Sequence, residues 1–403
     1  MTVPTGWQRV AIKEVYEGLF DGPHATPPTA DEGPVFLGIK NITDDGHLLL
    51  SEVRHIAEDD FPRWTKRVTP QAGDIVFTYE ATLNRYAIIP PDFRGCLGRR
   101  LALIRPNVEL VDTRFLHYYF FSRDWRETIE ANKLAGATVD RVPLTHFPNF
   151  PINLPPLATQ RRIASILSTY DDLIENNTRR IAILEEMARR LYEEWFVHFR
   201  FPGHEDATFT ETEHGRVPEG WEIKELGEVA DVRWGDTNTT KKAYVDQGYT
   251  AYSAAGPDGF LPYHDFSRKG VVVSAIGAHC GLTWFARGNW SCIKNTMRLW
   301  SSSDGLSDEY LYFATEGKDT WPKRGAAQPF ISQGDARARK LIVPPEGVEG
   351  QFRRLAIPSL DFADNLRKKN TNLRTQRDLL LPKLVSGEID VSEAEENLED
   401  AVA

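Results

Sequence analysis

The chain has little of several features that would place it in a common class of protein. It contains only three cysteines among 403 residues (Cys96, Cys280 and Cys292), and they form no CxxC pair. Neither a disulfide framework nor a zinc site is therefore expected. No run of about 18 apolar residues occurs, so no membrane-spanning helix is predicted. Because the N-terminus lacks an apolar leader segment, the cytoplasm is the expected location.

The chain also lacks the excess of positive charge that is common in nucleic-acid-binding proteins. Its formal net charge is −10, but the charge is unevenly distributed. Residues 386–403 contain seven acidic and no basic side chains, and residues 204–219 contain five acidic side chains and one basic one. The rest of the chain carries a net charge of about +1. DNA is therefore not excluded as a partner, because local clusters of charge decide that question.

The motifs of common enzymes are absent too. There is no GxxxxGK[ST] phosphate loop, no glycine-rich dinucleotide turn and no Asp/Asn-Pro-Pro-aromatic run of the kind that amino-methyltransferases use. Glu222 and Lys224 have the Glu-x-Lys spacing of some nucleases, but they lie in a repeated segment, so a framework role is favoured. His264 and His279 have no partner at metal-ligand spacing. We predict no catalytic residue, no metal site and no enzyme activity.

What the chain does contain is a repeat of about two hundred residues. Three pairs of segments match, at residues 3–7 and 217–221, 73–78 and 270–275, and 152–156 and 341–345. The first pair reads VPTGW and VPEGW, the second GDIVFT and GVVVSA, and the third INLPP and LIVPP. A β-branched run after a glycine is typical of a strand. The repeat predicts two similar strand-rich domains, each followed by a helix.

Two long helices are predicted from a heptad pattern of apolar residues. The first runs from Pro156 to Val197, and at about 1.5 Å per residue it would be about 63 Å long. The second keeps the same register when residue numbers are advanced by 192, although Pro358 is expected to break or kink its first turns. The predicted seam residues are Ile163, Leu167, Tyr170, Ile174, Asn177, Ile181, Leu184, Leu191, Leu355, Phe362, Leu366, Leu373 and Leu380. A heptad of this length indicates an antiparallel coiled coil, with Asn177 fixing the register.

The expected fold class is α+β, with two similar strand-rich domains separated by two long antiparallel helices that form a coiled coil. The predicted boundaries are residues 1–153 for the first domain, 154–202 for the first helix, 203–345 for the second domain with its entry linker, 346–390 for the second helix and 391–403 for an acidic tail.

At this point the chain resembles the specificity (S) subunits of type I restriction-modification systems over nearly all of its length. The two most specific motifs are LPPLAxQRRIAxIL at residues 154–167 and QRDLLLPKLVSGEI at residues 376–389. The paired Pro-x-Gly-Trp openings and the GDIVFT segment are also typical. The second copy departs from the pattern, because residues 270–274 (GVVVS) lack the Asp and Phe, and Pro358 interrupts the second helix.

The resemblance implies that each strand-rich domain is a target recognition domain that reads one half of a bipartite site in double-stranded DNA. It also implies that the helices set the gap between the halves and dock two methyltransferase (M) subunits, through which motor-nuclease (R) subunits join. No cofactor is then expected in this chain, since S-adenosylmethionine and ATP would belong to the partner subunits. Methylation and cleavage of DNA would likewise be catalysed by the partners.

Candidate DNA contacts lie on loops, because loops on a rigid scaffold reach base edges and phosphates. In the first domain they are Thr78, Tyr79, Glu80, Thr82, Asn84 and Arg85 on the loop after the GDIVF strand, with Arg99, Arg100, Lys133 and Arg141 for phosphates. In the second domain they are Lys241, Lys242, Ala278, His279, Lys294, Asn295, Lys323, Arg324 and Gln328.

Two other classes of function remain open on the residues alone. A coiled-coil scaffold whose strand-rich domains bind proteins would have no DNA specificity, and its complexes would not lose affinity steeply as salt rises. A nuclease that uses Glu222 and Lys224 would lose its activity when those residues are replaced. For the DNA-reading interpretation, loss of Arg85 is expected to relax only the half-site read by the first domain.

Overall fold

The computed structural model of the chain describes residues 3–134, 139–213, 215–325 and 327–391. The chain divides into two compact units, of which unit 1 comprises residues 1–176 with 369–403 and unit 2 comprises residues 177–368. Each unit contains one strand-rich region, named here head 1 (residues 8–154) and head 2 (residues 222–343), and part of each long helix.

The first half of the chain contains nine strands and four α-helices among its described residues. In chain order they are β1 (Gln8–Ala11), β2 (Tyr16–Asp21), β3 (Ala30–Leu37), β4 (Arg54–His55), α1 (Phe61–Trp64), β5 (Ile75–Thr78), β6 (Tyr86–Ile88), β7 (Gly95–Leu97), β8 (Leu101–Pro106), α2 (Thr113–Tyr119), α3 (Arg123–Asn132), β9 (Pro151–Leu154) and α4 (Leu157–Tyr192). Side-chain caps begin two of the helices: Asp112 accepts from the amide of Phe115 at 2.9 Å, and Ser122 accepts from that of Trp125 at 3.2 Å.

The second half contains eleven strands and four α-helices among its described residues. They are β10 (Phe209–Thr212), β11 (Gly215–Pro218), β12 (Glu222–Glu225), α5 (Leu226–Val229), β13 (Ala230–Trp234), β14 (Tyr249–Ser253), β15 (Gly256–Leu261), β16 (Gly270–Ser274), β17 (Thr283–Ala286), β18 (Trp290–Cys292), β19 (Thr296–Ser301), α6 (Asp308–Thr315), α7 (Gln333–Ala338), β20 (Lys340–Val343) and α8 (Glu346–Val385). Ser307 and Ser332 cap α6 and α7 in the same way.

The two heads have the same sheet topology, which confirms the predicted duplication. Head 1 has a four-stranded sheet β2-β8-β5-β6, a three-stranded sheet β4-β3-β7 and the pair β1-β9. Head 2 has β13-β19-β16-β17, β15-β14-β18 and the pair β12-β20 in the corresponding places. Even the unusual parallel pairs match, since β3 with β7 and β14 with β18 are both parallel. The fold is α+β, as expected.

The orientation of the central strands corrects the predicted alignment of the two copies by one residue. Ile75 faces the main core of head 1, whereas Val76 faces a smaller second core. In head 2, Val271 faces the main core and Val272 the smaller one. Ile75 therefore corresponds to Val271, although the match by glycines pairs it with Val272. Successive side chains point to opposite faces of a sheet, so a slip of one residue exchanges the two cores.

In unit 1, the first part of α4 packs against the last part of α8. The side-chain amide of Asn370 donates to the carbonyl oxygen of Ile174 at 3.2 Å, and the guanidinium of Arg377 donates to Asp171 at 2.6 Å. Residue numbers rise along one helix as they fall along the other, so the pair is antiparallel, as predicted. Ile163 and Leu167 are fully buried in the core of head 1.

Unit 2 contains a second antiparallel pairing, between the last part of α4 and the first part of α8. The rings of Tyr192 and Phe352 lie 6.3 Å apart, and the guanidinium of Arg367 forms an ion pair with Glu185. Trp195, on a π-helical turn that follows α4, also lies in the core of head 2. The ends of both helices thus contribute to the hydrophobic core of a head.

The seam on α4 follows the predicted positions, but part of the predicted seam on α8 is wrong. Among the predicted residues of α4, Ile174 and Asn177 are buried along with Ile163 and Leu167, and Tyr170, Ile181, Leu184 and Leu191 are half-buried.

On α8, three of the five predicted seam residues are covered: Leu366 is buried, and Leu373 and Leu380 are half-buried. Leu355 and Phe362, however, are 55% and 40% exposed, whereas their neighbours Ala356 and Ala363 are buried. One residue turns a helix by about 100°, so the buried face of α8 carries these small alanines and the two large side chains point away from it.

Pro358 does not break the second helix. The α8 helix continues through both Pro358 and Pro382. The predicted break is therefore wrong, and packing of the helix against head 2, through buried Phe352, Ala356 and Leu360, stabilises it in place of the lost hydrogen bond.

The compact units divide the chain differently from the predicted domains. The predicted helical spacers, residues 154–202 and 346–390, are each shared between the two units. The predicted acidic tail, residues 391–403, lies outside the described residues except for Val391, which is buried in the core of head 1. Among the described residues, no helix is long and apolar enough to cross a membrane.

Candidate nucleic-acid interface

Three segments of head 1 meet beyond the end of β5: the loop at residues 79–85, the turn at residues 98–100 and the described residues of segment 133–142. The amide of Tyr79 donates to the carbonyl of Arg100 at 3.3 Å, and the amide of Val142 donates to that of Tyr79 at 2.8 Å. The backbone also joins the loop to segment 133–142 through a bridge between Glu80 and Arg141. The sequence-predicted residues of the first domain thus lie on one connected surface.

Two of the predicted contact residues belong to the framework instead. Thr78 and Tyr79 are only 3% and 6% exposed. The hydroxyl of Thr78 accepts from the amide of Arg85 at 3.3 Å, and that of Tyr79 donates to the carbonyl of Arg99 at 3.2 Å. Burial raises the pKa of Tyr79. Since their polar groups are used inside the protein, these two side chains hold the loop and do not reach a base.

The loop itself is held in an uncommon backbone conformation. Ala81 and Asn84 have φ angles of 71° and 63°, in the left-handed region that non-glycine residues rarely adopt. The amide of Ala81 donates to the carbonyl of Asp140 at 2.9 Å, and the hydroxyl of Tyr86 lies 3.4 Å from Oδ1 of Asn84. Such a conformation costs of the order of 1 kcal/mol per residue and persists only where neighbours impose it. The loop therefore has one preferred shape, which presents the half-buried Thr82 between the two strained residues.

The cations of this surface fall into two groups. Arg85 forms a bidentate ion pair with Asp44 at 2.6 and 3.1 Å, Arg100 pairs with Glu80 at 3.1 Å, and Lys133 lies 2.7 Å from Glu130 and 3.4 Å from Asp140. The second group consists of Arg99 and Arg141, which are exposed and make no ion pair within the described part of the chain. Only this second group presents charge that is free to meet a phosphate.

A cleft of about 260 Å³ next to this surface adds a residue that the sequence did not suggest. Arg54 lines it together with Arg99 and Arg100, and Thr26 lies at its edge. Arg54 stands on β4, which pairs with β3, and comes close to the other two arginines only through the fold. No local sequence signal distinguishes it from an ordinary exposed arginine.

Head 2 builds the same arrangement from equivalent segments, at residues 275–282, 293–295 and 323–331. The amide of Ala275 donates to the carbonyl of Asn295 at 2.9 Å, as Tyr79 does to Arg100 in head 1. The amide of Ile331 donates to the carbonyl of Ala275 at 2.8 Å, as Val142 does to Tyr79. The described parts of these segments carry Ala278, His279, Lys294, Asn295, Lys323, Arg324 and Gln328, all of which were predicted from the sequence.

Lys241 and Lys242 stand beside the same surface. The amide of Lys294 donates to the carbonyl of Thr239 at 3.1 Å, which brings the segment before the two lysines against the turn at residues 293–295. Lys241 forms an ion pair with Asp258, whereas Lys242 is exposed and has no ion pair with the residues that the structure describes.

The side chains of head 2 differ from those of head 1 at matching positions. Phe330, 37% exposed, makes the same backbone bridges as Arg141. Lys323 pairs with Asp319 at 3.2 Å and Arg324 pairs with Asp335. His279, Lys294 and Gln328 are exposed. The framework is thus shared, but the chemistry that it presents is not.

Glu222, Lys224 and the three cysteines are paired or buried in the structure. Glu222 and Lys224 form an ion pair with each other on β12, a strand of the repeated framework. The three cysteines are free and buried, and burial raises the pKa of the Cys96 and Cys292 thiols to about 12. Within the described residues, no group of three or more His, Cys, Asp or Glu side chains could hold a metal ion.

Comparison with known proteins agrees with this geometry. The family model for the type I restriction modification DNA specificity domain matches residues 4–186 and 218–352. The MjaIX specificity subunit of a type I restriction enzyme from Methanocaldococcus jannaschii is 23% identical over 97% of this chain and 95% of its own length. The putative MjaX specificity subunit of the same organism is 27% identical over 56% of this chain and 53% of its own length. A crystal structure of a type I S subunit from M. genitalium has a TM-score of 0.57 at 16% identity, and covers 95% of this chain and 98% of that one.

The fold and the matched surfaces define a two-headed protein whose heads are DNA recognition domains. The chain belongs to the family of type I restriction-modification DNA specificity subunits. Specificity subunits are non-catalytic members of these systems.

Proposed function

We propose that each head reads one half of a bipartite DNA site and that the loops at residues 79–85 and 275–282 carry the base contacts. The observation that supports this is the duplicated three-segment surface, which has one framework and two different sets of side chains. An identical framework with different side chains would let two half-sites of unrelated sequence be read in one manner. The exposed cations, Arg99 and Arg141 in head 1 and Lys242 and Lys294 in head 2, would position the duplex through its phosphates.

The test is to map methylated bases in DNA from a host that carries this chain with its methyltransferase partner. A site of two defined halves separated by undefined base pairs is the expected result. Exchange of residues 79–85 for the loop of a relative with a different site should change one half only. A contiguous site, or a change in both halves, would contradict the proposal.

The paired helices would set the gap between the two halves. Removal of residues 177–183 from α4 and 361–367 from α8 takes one heptad from each helix and preserves the seam. The change shortens the pair by about 10 Å, or about three base pairs of duplex. We expect the gap to shrink by about that number while both halves stay the same. Duplication of the same two heptads is the matched control and should lengthen the gap; a constant gap in both variants would exclude a spacing role.

The partners would dock on this chain, and two methyltransferase subunits are expected because the chain presents two similar units. In unit 2 both long helices carry exposed apolar side chains: Met187 on α4 is 57% exposed, and Leu355 and Phe362 on α8 are 55% and 40% exposed. Exposed apolar side chains of this size are typical of binding surfaces when they cluster. We therefore propose that one methyltransferase subunit docks on this part of the helix pair.

The docking proposal is tested with Leu355→Lys and Met187→Lys, measured by co-elution with the methyltransferase subunit. Both variants should lose one of the two methyltransferase subunits, whereas Val108→Lys, at a residue of head 1 that is 63% exposed and lies outside both long helices, should keep both. Motor-nuclease subunits would join through the methyltransferase. S-adenosylmethionine and ATP would bind to those partners, so this chain alone should bind neither in calorimetry.

A further inference from the structure

The loop between β16 and β17 of head 2 is a closed, preformed finger. Its base is closed by two hydrogen bonds of 2.8 Å, from the amide of Ser274 to the carbonyl of Leu282 and from the amide of Gly281 to the carbonyl of Ser274. Within it, the amide of Cys280 donates to the carbonyl of Gly277 at 2.9 Å. Gly277 and Gly281 have φ angles of 100° and 92°, which residues with a side chain rarely adopt.

Two neighbouring segments support the finger from outside it. On one side, the amide of Gly277 donates to the carbonyl of Pro329 at 2.9 Å. On the other side, the ammonium group of Lys318 donates to the carbonyl of Ala278 at 2.9 Å. The backbone of Lys318 is equally close, since a Cβ atom on Gly281 would lie 2.5 Å from the Lys318 carbonyl oxygen. Lys318, a residue that no sequence motif suggests, therefore supports the finger through both its side chain and its backbone.

The tip of the finger presents two exposed side chains, Ala278 and His279. An apolar methyl group and a ring nitrogen that can donate a hydrogen bond match groups that the major groove displays, namely the thymine methyl and the N7 and O6 acceptors of purines. A contact that serves only to hold a phosphate does not need a rigid loop, whereas a base contact depends on position to within a fraction of an ångström.

We infer that the finger formed by residues 277–281 is the base-reading element of head 2, that His279 selects a purine in its half-site and that Lys318 is a positioning residue for it. This inference rests on the proposed function of head 2. It goes beyond that function because it names the side chain that discriminates, the class of base that it contacts and the residue that holds it in place.

The finger is tested first through its backbone. One of two glycines is replaced: at the first an added Cβ atom meets the Lys318 backbone, and at the second it meets open space. Gly281 and Gly288 both have positive φ angles, but a Cβ atom at Gly288 would meet nothing within 4 Å. Both Gly281→Ala and Gly288→Ala place a side chain at a positive φ angle, but only Gly281→Ala pushes the finger away from Lys318. In methylation maps of the assembled complex, Gly281→Ala should reduce discrimination at one base pair of the half-site read by head 2 by about tenfold or more. Gly288→Ala should retain the wild-type site.

The side chains are tested with His279→Ala and Lys318→Met, with Lys340→Met as the control because Lys340 pairs with Glu225 at 3.0 Å on the framework strands. His279→Ala should accept other bases at the position where wild type requires a purine, and Lys318→Met should relax the same position to a smaller degree, both with unchanged melting temperature. Retention of the wild-type site by His279→Ala would overturn the inference even if Gly281→Ala fails to fold. Failure of the proposed function looks different, because the wild-type complex itself would then show no bipartite site.

Discussion

Asp171 and Arg377 are separated by 206 positions in the sequence, yet their carboxylate and guanidinium groups lie 2.6 Å apart where α4 and α8 pack in unit 1. Asp171 also accepts from the hydroxyl of Tyr118, on α2 of head 1, at 2.5 Å. One carboxylate thus connects both long helices to the recognition domain. Both side chains of the ion pair are largely buried, at 21% and 13% exposure, so this pair is less screened than a surface ion pair.

Replacement of Arg377 by Met is expected to destabilise unit 1 by about 1–3 kcal/mol, because it leaves the Asp171 carboxylate without its charged partner. Urea unfolding followed by circular dichroism measures the change. Arg374→Met is the matched control, since Arg374 is exposed on the same helix and has no ion pair among the described residues. Equal effects of the two substitutions would mean that the ion pair contributes nothing.

The corrected seam of α8 predicts opposite responses at adjacent positions. Ala363→Leu should destabilise the protein by about 1–3 kcal/mol, because Ala363 is fully buried and the packed interior has no room for the added atoms. Phe362→Ala should lower the free energy of unfolding by about 1 kcal/mol or less, since Phe362 is 40% exposed and already partly in water. Thermal unfolding of the two variants distinguishes the observed seam from the one predicted from the heptad. If the heptad seam were correct, Phe362→Ala would be the more destabilising substitution.

His117 predicts a loss of stability in mild acid. It is buried on α2, with Nε2 lying 3.3 Å from the carbonyl oxygen of Tyr86, and burial lowers its pKa to about 4 from an ordinary value of 6.5. A histidine whose pKa is lower in the folded state binds its proton more readily when the chain is unfolded. The folded state therefore has its full stability above about pH 6.5 and loses stability as the pH falls toward 4. Over that whole range the free energy of unfolding falls by roughly 3 kcal/mol.

The measurement for His117 is the free energy of unfolding between pH 7 and pH 5, where most carboxylates remain ionised. Wild type should lose stability over this range, and His117→Gln, which cannot take up a proton, should lose clearly less. His146→Gln serves as the control because His146 is exposed. If wild type and His117→Gln have parallel pH profiles, burial of the imidazole is not the cause.

The exposed arginines of head 1 predict a change in salt dependence. Arg99→Ala and Arg141→Ala should each weaken DNA binding by the assembled complex about equally for all sequences, and reduce the slope of log affinity against log salt by about 1. Arg374→Ala, on α8 and outside the three segments of the candidate interface, should leave the slope unchanged. A variant that alters sequence preference without changing the slope would instead be a base contact.

Much of the architecture was predictable because it depends on patterns that repeat along the chain. The duplicated Pro-x-Gly-Trp segments, the two strand runs and the heptads are local features, and each predicts an element without knowledge of its neighbours. The loops that form the candidate interface were also predictable as a set, since they follow strands of the repeated framework. The family resemblance rested on the same segments.

The errors arose where the outcome depends on contacts between distant segments. Matching glycines misaligned the central strands by one residue, because only the two cores determine which of Ile75 and Val76 corresponds to Val271. Leu355 and Phe362 fit the heptad, but the fold buries the alanines that follow them instead. Pro358 could remain in a helix because packing against head 2 offsets the missing hydrogen bond.

The sequence by itself determined that this protein has two similar strand-rich regions, two long helices and loops that differ between the copies, since those properties follow from local composition and spacing. Only the tertiary structure decided which polar side chains are available to a partner. Arg85 and Arg99 look alike in the sequence, yet Arg85 is held by Asp44, 41 residues away, while Arg99 remains exposed. Pairing between distant charges depends on where the fold places them, and no local pattern contains that information.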